Sequence, residues 1–163
     1  FLETNNLLTK NEKILDYGAA VGFLTNAICK LNFKCDGYDI SQWAINEALK
    51  RYNINYIVYQ KSKYDCLIAL DVFEHMTDDS IIDCLNTFNP DKLIIRIPCS
   101  TNNGKSFHLN ISNLDLTHIN CKNKTDWFSF FEEQGFINKI QLNLYTIYDT
   151  EGVMCYYFSK NKI

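Results

Sequence analysis

The feature that most constrains the fold is the segment KILDYGAAVG at residues 13–22. It has the pattern of a short apolar strand that ends at Asp16 and breaks into a turn containing two glycines. Apolar residues then recur at helical spacing, which predicts a helix directly after the turn (Phe23, Leu24, Ala27, Ile28 and Leu31). A strand, a glycine-containing turn and a helix in succession are typical of a nucleotide-binding α/β unit, because the backbone there must turn sharply and approach a ligand closely.

The spacing of the small residues in this turn argues against a dinucleotide site. A dinucleotide fingerprint requires G-x-G-x-x-G. Here the small residues are Gly18, Ala20 and Gly22, and Phe23 takes the place of the third dinucleotide glycine. Asp16, two residues before the first glycine, is not part of the dinucleotide pattern either. The turn therefore disfavours an NAD-dependent oxidoreductase.

A second predicted strand, FKCDGYDI at residues 33–40, also ends in an acid. Asp39 follows Gly18 at about the 20-residue spacing expected for a carboxylate that binds ribose hydroxyls. A carboxylate suits this role because it accepts two hydrogen bonds side by side. We predict ribose binding by Asp39, with a solvated turn acid as the alternative. Ile40 and Trp43 are candidates to flank an adenine, although Trp43 fits a helix core equally well.

Three segments in this order resemble the class I S-adenosylmethionine-dependent methyltransferases of the small-molecule type: LDYGAAVG (15–22), GYDIS (37–41) and LDVFEHM (70–76). The first is similar to motif I, D/E-x-G-x-G-x-G, with Ala20 in place of the middle glycine. The third is similar to the D-V-L-E-H-I segment after the fourth strand. The run DWFSFFEEQGF (126–136) also resembles the family's W-x-x-x-L-E-x-x-G-F.

The resemblance implies a single domain, residues 1–163, with a Rossmann-like α/β three-layer sandwich. Its sheet is expected to be mostly parallel and seven-stranded, with a C-terminal antiparallel hairpin. The implied cofactor is S-adenosylmethionine, with S-adenosylhomocysteine as product. The residues implied in cofactor binding are Asp16, Gly18, Ala20, Gly22, Asp39, Ile40 and Asp71.

Patterning along the rest of the chain agrees with such a sheet. Apolar or alternating runs predict a third strand at residues 55–60 and further strands at 66–70, 93–98, 137–148 and 153–159. A helix is predicted up to Phe88, and a second, with Thr125 as its N-cap, places an aromatic group in the core (Trp127, Phe128, Phe130 and Phe131).

The segment 99–124 has no clear periodicity and is expected at the carboxyl edge of the sheet, where ligands of open α/β folds bind. If the methyl acceptor is a hydroxyl, His118 is the first candidate general base, because imidazole titrates near neutral pH. Asp115 is the candidate to orient the imidazole, and His108 and His75 are the next candidates for the general base. The alternative is a loop histidine that only holds the loop closed by hydrogen bonding.

Composition and charge limit the kinds of molecule that the protein is expected to bind. A formal net charge of −3 provides no basic field for nucleic acid. No apolar run approaches the roughly 20 residues of a membrane span. Seven cysteines without a C-x-x-C pair predict free thiols and a cytoplasmic location. Asp78 and Asp79 fit the first turn of a helix better than a metal site, and no metal is expected.

The predicted reaction is methyl transfer to a small molecule, such as a hydroxyl of a sugar or secondary metabolite. A protein or nucleic-acid methyltransferase is the first alternative, but it would be expected to carry a motif such as N-P-P-Y where this chain has DVFE. A non-catalytic S-adenosylmethionine-binding module is the second, supported by Ala20 and by the lack of an acid near the expected adenine position.

Overall fold

The computed structural model describes residues 7–101, 104–143 and 147–160. Within them six strands form one sheet in the order β2-β1-β3-β4-β6-β5. The strands are β1 Lys13–Tyr17, β2 Lys34–Tyr38, β3 Cys66–Leu70, β4 Lys92–Pro98, β5 Asn138–Gln141 and β6 Val153–Ser159. Strands β1 to β4 are parallel, whereas β6 is antiparallel to both β4 and β5. The predicted α/β class and the closing antiparallel pair are confirmed.

Helices and loops cover both faces of the sheet. The helices are α1 Phe23–Lys30, α2 Gln42–Tyr52, α3 Asp78–Phe88, α4 Asn110–Leu114 and α5 Lys124–Glu133, with a 3₁₀ turn at Phe73–His75. One apolar cluster joins α3 and α5 to one face of the sheet, and its largest fully buried side chain is Trp127. A second cluster packs α1, Leu7 and Leu8 against the other face. None of the helices in the described part of the chain has the length and apolar character that a membrane crossing requires.

The prediction of a third strand at residues 55–60 is wrong. These residues form no strand, so the described sheet has six strands rather than seven. One backbone hydrogen bond joins this segment to β2, from Ile57 N–H to the Gly37 carbonyl at 2.9 Å. Side-chain contacts hold the segment in place, and not a ladder of backbone hydrogen bonds. The Tyr56 ring packs against Gly37, where a Cβ would lie 2.6 Å from the ring, and Tyr59 packs edge-on against Phe88.

Three smaller predictions also need correction. The α5 helix is capped by Asn123, whose side chain accepts the Asp126 N–H at 2.8 Å, and not by Thr125. The predicted apolar face of α1 is only partly buried, since Leu24 and Ile28 pack against the second cluster whereas Phe23, Ala27 and Leu31 are exposed. The strand predicted at 137–148 ends early in β5, and its residues 144–146 lie outside the described ranges.

The turn between β1 and α1 has three residues in the left-handed region: Gly18 at φ +77°, Ala20 at φ +46° and Gly22 at φ +85°. Gly18 is required for space as well, because a Cβ there would lie 2.5 Å from Val72. The turn is tied down by Tyr56, whose hydroxyl lies 2.8 Å from the Ala20 carbonyl oxygen and donates to it. The glycine pattern of the sequence therefore corresponds to a tightly fixed backbone.

Asp16 supports this turn from inside the protein. It is 4% exposed and accepts a 2.6 Å hydrogen bond from the hydroxyl of Thr25, the one fully buried residue of α1. Burial raises the pKa of the Asp16 carboxyl to about 6, although the hydrogen bonds from Thr25 act in the opposite direction. Asp16 thus joins the end of β1 to the first turn of α1.

We expect Ala20→Gly to stabilise the protein by about 0.5–1 kcal/mol. The exposed Ala20 side chain is in the left-handed region, which costs a residue with a Cβ about 1–2 kcal/mol. The larger entropy of the unfolded glycine chain offsets about 0.4–1 kcal/mol of that gain. Urea unfolding measures the change. Ala19→Gly is the matched control and should destabilise by about 1 kcal/mol, since Ala19 is buried and has no positive φ. Equal destabilisation by both changes would contradict the account.

The buried Asp16 carboxyl should make stability depend on pH in a defined direction. The folded protein binds the Asp16 proton more tightly than the unfolded chain, in which the pKa is near 3.8. This contribution is complete below the unfolded pKa and is lost as pH rises through about 6. The difference in unfolding free energy between the wild type and Asp16→Asn should therefore fall by about 2–3 kcal/mol from about pH 4 to pH 7. A difference that is constant or rises with pH would show that Asp16 is not buried as described.

Candidate active site

The predicted cofactor residues lie along one edge of the sheet. Because β1, β2 and β3 are parallel and in register, their carboxyl ends meet there. Gly18 follows β1, Asp39 follows β2 and Asp71 follows β3. Residues that are more than 50 positions apart in the sequence are thereby brought to one place, as the sequence analysis expected.

Asp39 links the glycine turn to helix α2. One carboxylate oxygen accepts the Ala20 N–H and the other accepts the Ser41 N–H, both at 2.8 Å. A carboxylate has about four acceptor positions, so both oxygens can still accept a hydrogen bond from a ribose hydroxyl. Ile40 is 88% exposed beside it and offers an apolar surface at the same edge. The ribose and adenine roles of these two residues stay predictions.

Asp71 makes its strongest contacts within the protein. It has a left-handed backbone, φ +56°, and its N–H donates to the Arg96 carbonyl at 2.8 Å. Both carboxylate oxygens pair with Nη1 of Arg96, whose guanidinium also lies over the Tyr148 ring. Asp71 is thus fixed by β4, while about half of its side chain remains exposed for a ligand. The sequence analysis did not anticipate the pairing with Arg96.

An open space of about 430 Å³, the tyrosine cleft, lies beside the ends of β1 and β2. It is lined by Tyr17, Tyr38, Tyr59, Met76, Asp79, Ser80 and Asp83. Tyr17 and Tyr38 are register partners whose rings stack with centroids 5.0 Å apart. Burial raises the pKa of Tyr17 and of Tyr59, so their hydroxyls stay protonated at neutral pH. Sequence reasoning missed this cleft, although each of its first two tyrosines is the last residue of a strand.

The long segment after β4 brings together His118, Asp115 and His75. Nε2 of His118 lies 3.6 Å from an Asp115 carboxylate oxygen, and the two histidine rings meet edge to face with centroids 4.5 Å apart. Thr117 donates its hydroxyl proton to Asp115 at 2.6 Å and lies 2.8 Å from Nδ1 of His75. The Thr117 backbone N–H donates to the same carboxylate at 2.9 Å, and the two hydrogen bonds from Thr117 hold the pKa of Asp115 below its usual range.

This group opens onto the loop cleft, an open space of about 580 Å³. Its lining comes entirely from one stretch of the chain: Ile111, Ser112, Leu114, Asp115, Leu116, Thr117 and His118. The large apolar side chains of this stretch are mostly exposed. The cleft therefore combines an apolar wall with an ionised carboxylate and an imidazole.

His108, the third predicted catalytic residue, has its described contacts elsewhere. Its ring lies against Gly152, where a Cβ would be 2.6 Å from the imidazole, and its Nε2 is 3.7 Å from Glu151. These contacts place it at the turn before β6 and not with His118. A catalytic role for His108 stays a prediction that the geometry does not favour.

Glu74 and Thr117 are the polar residues of this region that sequence reasoning left without a site role. The Glu74 carbonyl accepts the N–H groups of Ile119 and Asn120, both at 2.9 Å, which fastens the loop to the 3₁₀ turn. Its side chain is 1% exposed, and burial raises its pKa to about 8. The sequence feature that could have pointed to Glu74 is its position within LDVFEHM.

Comparison with known proteins supports the same fold. The methyltransferase domain of a bacterial Hen1 (CtHen1) has a TM-score of 0.65 at 19% identity, over 97% of this chain and 93% of that one. A SAM-dependent methyltransferase from Archaeoglobus fulgidus has a TM-score of 0.68 at 14% identity, over 98% and 91% of the two chains. Magnesium protoporphyrin IX methyltransferase (ChlM) from Synechocystis PCC 6803, solved with bound SAH, has a TM-score of 0.69 at 18% identity, over 98% and 78%.

The sequence gives an independent result. No curated protein sequence matches the chain. Residues 2–139 match the profile of a family described as a methyltransferase domain, which is well over half of the chain. The resemblance to the class I S-adenosylmethionine-dependent methyltransferases, inferred from short motifs, is confirmed: the chain belongs to this methyltransferase family.

Proposed function

We propose that this protein transfers a methyl group from S-adenosylmethionine to a small-molecule acceptor at the carboxyl edge of β1, β2 and β3. The observation that carries the proposal is the position of Asp39, held by two backbone hydrogen bonds directly beside the glycine turn. The chain is also similar to ChlM structures that contain bound SAH and bound SAM.

The residues at this edge fit such a cofactor. Asp39 offers acceptor oxygens for a ribose, and the exposed Ile40 offers an apolar surface for a base. The turn that carries Ala20 is fixed by Asp39 and Tyr56, so little backbone ordering remains when a ligand binds. When bound, S-adenosylmethionine supplies a methyl group on a positively charged sulfur. The protein's contribution is to align that group with the acceptor and to exclude water.

The loop cleft supports a small acceptor with a hydroxyl group. Its exposed apolar side chains, Ile111, Leu114 and Leu116, suit the carbon skeleton of a small molecule. His118, which lines the cleft, is the proposed acceptor of the hydroxyl proton, and Asp115, with a carboxylate oxygen 3.6 Å from Nε2 of His118, is proposed to orient the imidazole. The formal net charge of −3 argues against a nucleic-acid acceptor. We retain the cytoplasmic location as part of this proposal.

Binding of the cofactor tests the proposal directly. Calorimetric titration with S-adenosylmethionine and S-adenosylhomocysteine should show one site, and titration with NADH should show none. Asp39→Asn should weaken binding about 10–100-fold, because a hydrogen bond to a charged group contributes about 1.5–3 kcal/mol.

The matched control is Asp36→Asn, which changes a carboxylate within β2, the strand that Asp39 follows. Asp36 accepts a hydrogen bond from Tyr64 at 2.7 Å, and its strand position lies before the ligand edge. Its removal should leave cofactor affinity unchanged. Binding of NADH alone, or equal effects of the two substitutions, would contradict the proposed site.

A further inference from the structure

Three metal-ligating side chains, the Glu74–His75–His118 triad, lie together beside the loop cleft. Each offers one ligand atom, and the three atoms all lie within 4.8 Å of one another. Ligand atoms about 2 Å from a shared metal ion are roughly 3–4 Å apart, so small side-chain rotations would bring this triad onto one ion.

The backbone holds the triad in place. Glu74 and His75 are consecutive residues of the 3₁₀ turn after β3. The N–H groups of Ile119 and Asn120, directly after His118, both donate to the Glu74 carbonyl at 2.9 Å. His118 therefore cannot leave the other two residues unless these hydrogen bonds break. The site is assembled by the fold and does not depend on flexible side chains alone.

The hydrogen bonds leave one nitrogen of His75 free to bind an ion. Because the hydroxyl proton of Thr117 goes to the ionised Asp115, Nδ1 of His75 must donate its own proton to Thr117 Oγ1. The neutral ring then has a lone pair on Nε2. Metal-binding histidines commonly donate their second N–H in this way, which fixes the tautomer and the ring orientation.

His118 and Glu74 each have a buried atom without a hydrogen-bond partner. Nε2 of His118 faces Asp115, while its Nδ1 is buried with no partner among the described residues. In Glu74, which is 1% exposed, Oε2 is likewise buried and unpaired. Burial and the nearby Asp71 and Asp115 raise the pKa of Glu74 to about 8, with Arg96 acting in the opposite direction, so the side chain is mostly protonated at neutral pH and releases its proton when it binds an ion. A cation between these atoms would satisfy both of them.

The donor set selects the kind of ion. Calcium and magnesium prefer sites made entirely of oxygen ligands. Two imidazole nitrogens and one carboxylate oxygen suit zinc, manganese, iron, cobalt or nickel. We propose that Glu74, His75 and His118 bind a divalent first-row transition-metal ion. This proposal replaces the expectation of no metal, which rested on Asp78 and Asp79 alone.

Those two acids remain a poor metal site. Asp78 accepts hydrogen bonds from Lys122 at 2.6 Å and from Asn120 at 2.9 Å, so its charge is already neutralised. Glu74 differs because no lysine or arginine in the described part of the chain is hydrogen-bonded to its side chain, although Arg96 is near enough to act on it electrostatically. The two groups therefore differ in their partners: Asp78 is already paired with Lys122, whereas Glu74 has no hydrogen-bonded cation among the described residues.

The bound ion would take part in catalysis only if the proposed methyltransferase function is correct. Three protein ligands leave coordination positions open, and the loop cleft is on the side of His118. An acceptor hydroxyl bound at such a position would have its pKa lowered and its oxygen held in a fixed place. His118 would then act as a ligand and not as the general base.

Titration of the tag-free full chain, stripped with a chelator, tests the site with Zn²⁺, Co²⁺, Mn²⁺ and Mg²⁺ alone. We expect one Zn²⁺ or Co²⁺ per chain, weak Mg²⁺ binding and a visible absorption band from bound Co²⁺. His118→Ala and Glu74→Gln should each weaken Zn²⁺ and Co²⁺ binding by on the order of 100-fold or more, since even outer-shell changes cost about 10–100-fold. Glu74→Gln keeps the size of a buried side chain that is mostly uncharged at neutral pH without an ion, and it should fold about as well as the wild type.

His108→Ala is the matched control, because it removes a histidine outside the triad. It should retain the ion with unchanged affinity and absorption. Absence of saturable binding, or equal affinity in His118→Ala, would overturn the inference. S-adenosylmethionine titrations of the same samples separate the two proposals: cofactor binding without metal binding overturns the metal site alone, and metal binding without cofactor binding overturns the proposed function alone.

Discussion

The two hydrogen bonds that Asp39 accepts, from the glycine turn and from the N-cap residue of helix α2, are the interaction on which the candidate site depends. The turn after β1 has three residues with positive φ, one of them an alanine, and such a backbone persists only where its surroundings hold it. Asp39 holds the Ala20 N–H, and Tyr56 holds the Ala20 carbonyl. Because Ala20 follows β1 and Asp39 follows β2, the bond between them joins the ends of the two strands. The N–H groups of Gly18 and Ala19, which both donate to the Tyr38 carbonyl at 2.9 Å, join them as well.

Tyr56 also explains why the sheet departs from expectation. The run NYIVYQ alternates as a strand does, but the Tyr56 ring covers Gly37 and its hydroxyl reaches the turn. A regular ladder would require the whole segment to pair with β2, whereas one hydrogen bond from Ile57 is present. The alternating pattern predicted a strand, but the segment is held by side-chain contacts to the turn and not by regular pairing with β2.

The parts of the site that sequence could predict are those encoded by short spacings. Gly18, Asp39 and Asp71 are each tied to the end of a strand, and parallel strands bring such ends together whatever the loops contain. The contact between His75 and His118 could not be predicted in this way. It depends on hydrogen bonds from Ile119 and Asn120 to Glu74, more than 40 positions earlier, in a segment without periodicity. The pairing of Asp71 with Arg96 is also non-local, but it depends on the register of β3 with β4, which places Arg96 opposite Leu70.

The central claim is that the edge carrying Gly18, Ala20 and Asp39 binds the methyl donor. A crystal structure of the protein with S-adenosylhomocysteine tests it most directly. The account predicts ribose hydroxyls within hydrogen-bond distance of the Asp39 carboxylate, with the adenine against Ile40. A ligand held in the tyrosine cleft, without contact to Asp39 or the glycine turn, would contradict it.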